Sequence, residues 1–250
     1  MIGPQLSPQL SPQLGPQLSP QLGRVVNPST GSMHPALARL WLDAERLCFS
    51  VPSTADLFNP YRDAEPDLDV EGAAEIRKQN LAAYFAAFEH PPRLLLLAEA
   101  PGPWGCRFSG VPITSEAQLI DPSFPVGGRQ SSRRNEPYSE YSAGIFWRLL
   151  QPAFPHFFVW NTVPLHPHRR DEPLTIRTPR TDEVIRFEPL TALVIEALAP
   201  SEILAVGRKA ESTLTRIGAP HTYVRHPSQG GAVAFAEGVT AALARFDQPG

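Results

Sequence analysis

Cysteine is scarce: the 250 residues include two, Cys48 and Cys106. Two thiols are too few for a disulfide framework, a structural zinc site or a four-cysteine iron–sulfur cluster. No apolar run approaches the length that crosses a bilayer, and the N-terminus lacks a basic region followed by an apolar core. We therefore expect a cytoplasmic protein that contacts no membrane and needs no cofactor or metal.

An excess of positive charge is also lacking, since the formal net charge is -3. This argues against a protein that coats nucleic acid through bulk electrostatics, but a basic face can still bind phosphates. Acidic residues crowd segment 56–75, and arginines gather at 129–134, 169–180 and 208–216. These clusters are interpreted either as solvated loops or as one DNA-binding face.

The first segment of the chain repeats Pro-Gln-Leu-Ser or Pro-Gln-Leu-Gly five times between residues 4 and 23. Proline at every fourth position removes backbone donors and blocks helix propagation. We expect residues 1–32 to be a disordered low-complexity tail and hypothesise that it is dispensable. Residues 33–250 have the length and composition of a single domain.

Helical and strand-like segments alternate along the rest of the chain. Apolar spacing predicts helices over 35–47, 70–88, 139–150, 181–198, 207–217 and 232–245, with Ser139 and Thr181 as caps, and strands over 93–98, 157–160, 203–206 and 221–224. Such alternation implies right-handed crossovers. The predicted fold class is α/β, a three-layer α/β/α arrangement with a central, mainly parallel four-stranded sheet.

Ligands of such sheets bind beyond the carboxyl ends of the strands. The residues predicted there are Glu99-Ala100-Pro101-Gly102, Asn161, Gly207-Arg208-Lys209 and His226-Pro227-Ser228. Three of these four strand ends carry a polar side chain suited to reading a small heterocycle.

Three sequence motifs occur at these strand ends. Residues 98–105 read Ala-Glu-Ala-Pro-Gly-Pro-Trp-Gly and precede Gly110-Val111-Pro112. This segment resembles the first motif of the uracil-DNA glycosylase superfamily, in its Gly-Glu-Ala-Pro-Gly and single-strand-selective monofunctional versions. Residues 160–164, Trp-Asn-Thr-Val-Pro, resemble the segment with the base-reading asparagine, and 225–228, Arg-His-Pro-Ser, resemble the closing His-Pro-Ser motif. The likeness covers roughly residues 93–235.

The resemblance implies a DNA repair hydrolase that cuts the N-glycosidic bond of uracil, or of a related deaminated base, and leaves an abasic site. Asn161 would donate to uracil O4 and accept from N3–H, which cytosine does not match. His226 would donate to O2 and stabilise the leaving anion. Glu99 would orient water or stabilise the cationic sugar. In isolation, the His-Pro-Ser segment is more typical of a loop turn, and the alternative for Asn161 is an asparagine that ends a strand and makes a turn.

The sequence departs from the family pattern at three positions. Ala100 stands where many members have Asn or Asp, which assigns water activation to Glu99 or to backbone carbonyls. Ile113 stands where the relatives have the ring that stacks on uracil, so Phe108 or Trp104 would supply the base platform. Gly102 replaces a bulky tyrosine that excludes the thymine methyl in some families, and this change relaxes the exclusion of larger bases.

DNA contacts are expected around the last two strand ends. The base must leave the helix stack to reach the pocket, and the loop after His226 would press on the DNA without an apolar wedge. A lyase would need a pocket amine. Lys209, one of only two lysines, is expected to face phosphate, which favours monofunctional chemistry. The protein is expected to be a monomer. The predicted DNA-binding residues are Ser228, Gln229, Gly230, Arg208, Lys209 and Arg225.

Two other functions remain open. A damage-binding module that kept the pocket but lost catalysis would explain Ala100 and Ile113. An α/β protein acting on free nucleosides or nucleotides would leave the arginine clusters unexplained. Histidines 156, 166 and 168 suggest a metal, but no carboxylate or cysteine is spaced to complete a site.

Overall fold

Four parallel strands form the central sheet in the computed structural model, which describes residues 33–228 and 230–246. In chain order the strands are β1 (Leu57–Phe58), β2 (Leu94–Ala98), β3 (Phe157–Asn161), β4 (His166–Pro167), β5 (Glu202–Val206) and β6 (Thr222–Val224). The sheet order is β3-β2-β5-β6, and β1 pairs antiparallel with β4 in a separate small ladder. The predicted parallel four-stranded sheet is confirmed.

Helices flank the sheet. They are α1 (Pro35–Ala44), α2 (Ala73–Ala86), α3 (Cys106–Ser109), α4 (Glu116–Leu119), α5 (Tyr141–Leu150), α6 (Thr181–Leu198), α7 (Arg208–Arg216) and α8 (Ala232–Phe246). A π-helical turn, Glu45–Phe49, extends α1. Within residues 33–228 and 230–246, every helix is too short or too polar to span a bilayer.

Two apolar layers cover the two faces of the sheet, because successive strand residues point to opposite sides. On one face Leu95, Leu97 and neighbouring residues pack against α1, α2, α6 and α7. On the other face Leu94, Leu96 and Ala98 pack against α5 and α8. The β2 and β3 side chains are buried throughout. This alternation produces the three-layer α/β/α arrangement that the sequence predicts.

A buried ionic cluster supports the loop after β2. Asp69 forms ion pairs with Arg77 and with Arg107, and all three side chains are fully buried. The Arg107 guanidinium also lies over the rings of Phe58 and Phe108, at 4.5 and 4.1 Å from their centroids. An unpaired charge in this position would be costly, so the cluster fixes α3 relative to α2 and β1.

Several predicted boundaries are wrong. The helix predicted from residue 70 begins at Ala73, after Gly72 in the left-handed region. Ser139 does not cap α5, since the cap position is Glu140. Arg180 rather than Thr181 occupies the cap position of α6, and its N–H donates to the Glu183 carboxylate at 2.7 Å. The predicted tail, residues 1–32, lies outside the described residues.

Candidate active site

The register of the sheet brings the predicted strand ends to one edge. Ala98 pairs with Asn161, so Glu99 follows directly beside the asparagine. The Thr162 N–H donates to the Ala98 carbonyl at 2.8 Å, and the Val163 N–H donates to the Glu99 carbonyl at 3.0 Å. On the other side of β2, the Gly207 N–H donates to the Val224 carbonyl at 2.9 Å and so places the end of β5 beside the end of β6. Neighbouring strands lie about 4.8 Å apart, so the end of β3 lies roughly 14 Å along this edge from the end of β6.

Asn161 carries a buried amide whose oxygen is open. Its side chain is 1% exposed. The Nδ2 group lies 3.7 Å from Cys106 Sγ, and Oδ1 has no hydrogen-bond partner among the described residues. Buried acceptors are normally paired, because an unpaired one costs about 1–3 kcal/mol. An open acceptor at the carboxyl edge of a parallel sheet is therefore suited to receive a ligand N–H.

The thiol of Cys106 contacts the nitrogen of this amide. Burial raises the pKa of Cys106 to about 12, so the sulfur keeps its proton. Tyr61 Oη lies 4.0 Å from the sulfur and donates to the Gly110 carbonyl at 2.9 Å. This chain of contacts orients the Asn161 amide with nitrogen toward the sulfur and oxygen away from it.

His226 is held as a neutral donor. The Ser228 N–H donates to His226 Nδ1 at 3.2 Å, and the Ser228 hydroxyl lies 2.8 Å from the same nitrogen. A backbone N–H can only donate, so Nδ1 is the acceptor and Nε2 carries the proton. Burial lowers the pKa of His226, which keeps the ring neutral. Gly207 has φ +92°, a backbone conformation that favours glycine, and a Cβ there would lie in ordinary van der Waals contact with the His226 Cβ at 3.6 Å.

Glu99 is half-buried directly after β2. Burial raises the pKa of its carboxyl group, and the positive charge of Lys209 partly opposes this rise. Lys209 lies in the first turn of α7, which follows the neighbouring strand β5. The lysine therefore acts on the electrostatics of Glu99, a role that the sequence did not indicate.

Glu140 fills the space beside Gly102. A Cβ added at Gly102 or Gly105 would overlap its carboxylate. Burial raises the pKa of Glu140, while the Ser142 hydroxyl and the backbone N–H groups of Trp104 and Gly105 lower it. Any side chain at position 102 would therefore displace Glu140, which explains locally why glycine stands there.

The three candidates for the base platform occupy different environments. Phe108 is fully buried, with Tyr138 stacked on its ring at 4.2 Å and the Arg107 guanidinium 4.1 Å from its centroid. Trp104 is 48% exposed. Ile113 is 8% exposed and packs in the apolar layer that contains Ala98 and Ala143. The structure thus brings Ile113 toward the strand ends and encloses Phe108 beneath the loop.

Ile113 also adopts an unusual backbone conformation, with φ +45°. A β-branched residue in this region is strained, at a cost of about 1–3 kcal/mol. Its carbonyl accepts from Trp147 Nε1 at 2.9 Å, which holds the turn in place. Backbone strain of this kind is typical of functional sites.

Comparison with known proteins identifies the family and supports the fold. The profile of the Uracil DNA glycosylase superfamily matches residues 86–242. The chain belongs to the uracil-DNA glycosylase superfamily. The crystal structure of WT Pedobacter heparinus SMUG2 superposes with a TM-score of 0.56 at 13% identity, and the match covers 83% of this chain and 98% of that chain. At this identity the likeness shows the fold alone. No curated protein sequence matches the chain.

The remaining predicted site residues of this superfamily member lie around the same edge. Arg208 is exposed, pairs with Glu211 at 2.7 Å, and lies 4.2 Å over the Tyr223 ring. Arg225 is exposed, and Ala100 packs half-buried against the apolar layer of α1 and α2. Gly230 has φ +75°, and Gln229 lies outside the described residues.

His166 contacts the backbone of the first motif. It is fully buried in β4, with Nδ1 2.8 Å from the Pro101 carbonyl and Nε2 3.1 Å from the Pro173 carbonyl. Burial lowers its pKa to about 4. In the described part of the chain, no group of three or more His, Cys, Asp or Glu side chains is arranged to hold a metal ion.

Sequence reasoning missed Glu140 and the second role of Ser228. Glu140 has no motif around it, and its only sequence signal is the pair of glycines at 102 and 105 that it packs against. The sequence predicts a DNA contact for Ser228, although a serine two residues after a histidine is also well placed to hydrogen-bond the ring nitrogen. These residues show that the site includes supporting contacts that spacing alone does not reveal.

Proposed function

We propose that the protein hydrolyses the N-glycosidic bond of uracil, or of a related deaminated base, in DNA and leaves an abasic site. The extruded base would enter the edge between Asn161 and His226. As the C1′–N1 bond breaks, its electron pair goes to the base, and negative charge builds on O2. A water molecule adds to C1′ and gives its proton to Glu99, and the base anion takes up a proton from solvent.

The open Oδ1 of Asn161 is the observation that carries this proposal. Uracil presents N3–H between O2 and O4, and a carboxamide complements that edge. Cytosine presents an acceptor at N3, which would meet the same oxygen with repulsion. His226 supports the assignment, because its Nε2–H is a fixed neutral donor that costs little reorganisation when the anion forms.

Ile113 is proposed as the apolar wall for the face of the base. Phe108 lies enclosed by its own neighbours, and Trp104 is 48% exposed at the surface, so neither is the proposed platform. Arg208, Lys209 and Arg225, with Ser228, Gln229 and Gly230, are proposed to face the DNA backbone. Lys209 is also proposed to keep Glu99 ionised, since it lowers the pKa of that carboxyl.

A cleavage assay tests the proposal. Oligonucleotides with one uracil, hypoxanthine or xanthine are incubated with excess protein, and abasic sites are cut with alkali before electrophoresis. The proposal expects strand breaks at uracil or at one of these deaminated bases, in single strands or in mismatched duplexes. Retention of the DNA on a filter without any breaks would instead support a damage-binding module, and turnover of free nucleosides alone would support the nucleoside enzyme.

The pH dependence of excision should follow Glu99. The carboxylate accepts a proton only when ionised, so kcat/KM should fall as the pH drops through its pKa, which burial places above the ordinary 4.5. Glu99→Gln should lower kcat/KM about 100-fold and flatten this acid limb. Lys209→Met removes the opposing charge and should move the limb to higher pH. Stopped-time assays from pH 4 to 9 measure kcat/KM for each variant. An acid limb that is unchanged in Glu99→Gln would contradict the role of Glu99 as proton acceptor.

A ring at position 113 should improve uracil excision. Ile113→Phe would place an aromatic face where the family has one, and a gain of about 1 kcal/mol in stacking corresponds to roughly five-fold in kcat/KM. Ile113→Leu is the matched control, since it also removes the β-branch from a left-handed backbone position but adds no ring. If kcat/KM rose equally in both variants, relief of backbone strain would explain the gain, and this result would contradict a wall formed by residue 113.

A further inference from the structure

The His166 ring lies between two carbonyl groups that belong to different loops. Its Nδ1 atom is 2.8 Å from the Pro101 carbonyl of the first motif, and its Nε2 atom is 3.1 Å from the Pro173 carbonyl of the loop that precedes α6. A backbone carbonyl only accepts hydrogen bonds, so each of these contacts is satisfied only by a hydrogen on the ring. The reaction proposed above assigns no role to this histidine.

The surrounding structure fixes the ring in place. β4 pairs with β1 so that His166 lies opposite Phe58, and the His168 ring stacks on it with the centroids 5.6 Å apart and the planes at 16°. The His166 side chain is fully buried. Since the ring has little freedom left to lose, its hydrogen bond to the first motif costs little further entropy.

The ring carries a single proton near neutral pH. Burial is the largest cause that lowers the pKa of His166, and the charges of Arg107 on α3 and of His168 on β4 act in the same direction. The contacts with the two carbonyls oppose this shift, and the resulting pKa is about 4. One ring nitrogen therefore donates, and the other presents a lone pair.

The two carbonyls differ in burial, and this difference locates the proton. Pro101 is buried, and His166 is the one hydrogen-bond partner of its carbonyl among residues 33–228 and 230–246. Pro173 is half-buried, so its carbonyl lies within reach of water. A buried carbonyl without a donor is costly, and two lone pairs 2.8 Å apart repel each other. The proton therefore lies on Nδ1, which donates to the Pro101 carbonyl.

The Pro101–Gly102 peptide depends on this bond for its orientation. The proline ring fixes φ at Pro101, but the glycine places little restriction on the peptide that joins the two residues. The peptide bond is trans, so the Gly102 N–H points opposite to the Pro101 carbonyl and away from His166. That N–H has no hydrogen-bond acceptor in the described part of the chain, which leaves it open to a ligand where β2 ends.

We propose that His166 is a positioning residue, whose Nδ1–H donates to the Pro101 carbonyl and so turns the Gly102 N–H toward the bound base. The ring itself touches neither base nor sugar and acts through the backbone of the first motif. This inference rests on the proposed function for the reaction, but the position of the ring proton is measured without DNA. Failure of excision and failure of this assignment are therefore distinguishable.

Nuclear magnetic resonance of the unaltered, isotope-labelled protein at neutral pH tests the assignment directly. Long-range proton–nitrogen correlations distinguish an imidazole protonated at Nδ1 from one protonated at Nε2, and each ring is assigned through bonds to its own Cβ. His166 should show the Nδ1–H form. His226 is the matched internal control, since its Nδ1 accepts from the Ser228 N–H and its ring should show the Nε2–H form. A His166 ring protonated at Nε2, or at both nitrogens, would overturn the proposal.

Two amide variants test the consequence for excision. His166→Asn places an N–H near the position of Nδ1 and keeps the donor to Pro101, whereas His166→Gln places it near Nε2 and keeps only the contact with Pro173. The single-turnover rate of uracil excision should stay within about three-fold in His166→Asn and fall about 10- to 100-fold in His166→Gln. Affinity for uracil-free DNA should be unchanged in both, because neither variant alters a phosphate contact. Equal rates in the two variants would reduce His166 to a packing role and overturn the proposal.

Discussion

Replacing His226 with alanine is expected to lower the single-turnover rate of uracil excision about 100- to 1000-fold. The leaving uracil carries its negative charge largely on O2, and the imidazole Nε2–H is the fixed donor that faces it. Water entering the vacated space would have to reorient as the bond breaks. Binding of uracil-containing DNA should change little, because the interaction strengthens only in the transition state.

Ser228 provides the control for this change. Ser228→Ala removes the hydroxyl that lies 2.8 Å from His226 Nδ1, but it keeps the backbone N–H at 3.2 Å. The Nε2–H form therefore persists, and we expect a loss below about ten-fold, the scale of one neutral hydrogen bond. A rapid-quench comparison of both variants separates the roles. A His226→Ala rate within ten-fold of the unaltered protein would show that another group stabilises the leaving base.

Asn161→Ala is expected to lower kcat/KM about 1000-fold. Uracil N3–H and O4 would both lose their partners in a buried site, at about 1–3 kcal/mol each. Discrimination should fall as well, because the amide is the group that distinguishes uracil from cytosine. The strand-break assay on uracil and cytosine substrates measures both effects.

Cys106→Ala is the matched control for Asn161. It removes the sulfur that lies 3.7 Å from Nδ2 and leaves the amide in place. We expect a modest loss, since the amide keeps both of its groups but gains freedom to rotate. An Asn161→Ala variant that excises uracil as fast as Cys106→Ala would contradict base reading by the asparagine.

Periodicity and composition were sufficient to predict the layers of the fold. Four short apolar runs separated by helices admit few arrangements other than a parallel sheet covered on both faces. The pairing of β1 with β4 escaped prediction, because each strand is two residues long and carries no periodic signal. The cap of α5 was predicted one residue too early, at Ser139. The cap position is Glu140, whose carboxylate packs against the loop of Gly102 and Gly105.

Part of the candidate site could also be predicted, for a geometric reason. Glu99, Asn161 and His226 each follow a strand, and parallel strands place all such residues at one edge. The environment of each side chain depends on contacts between segments distant in sequence. Phe108 illustrates this: its place in the motif suggested a platform, whereas Tyr138 and Arg107 cover its ring. The strained φ of Ile113 likewise has no signal in the residue itself.

A crystal structure with DNA containing 2′-fluoro-2′-deoxyuridine would test the central claim most directly. The fluorine destabilises the cationic sugar, so the uracil stays attached while the protein binds it. We expect the base outside the helix stack, with N3–H within hydrogen-bond distance of Asn161 Oδ1 and O2 within the same distance of His226 Nε2. A uracil that remains stacked in the DNA, or one that binds away from the edge formed by β2, β3, β5 and β6, would contradict the account.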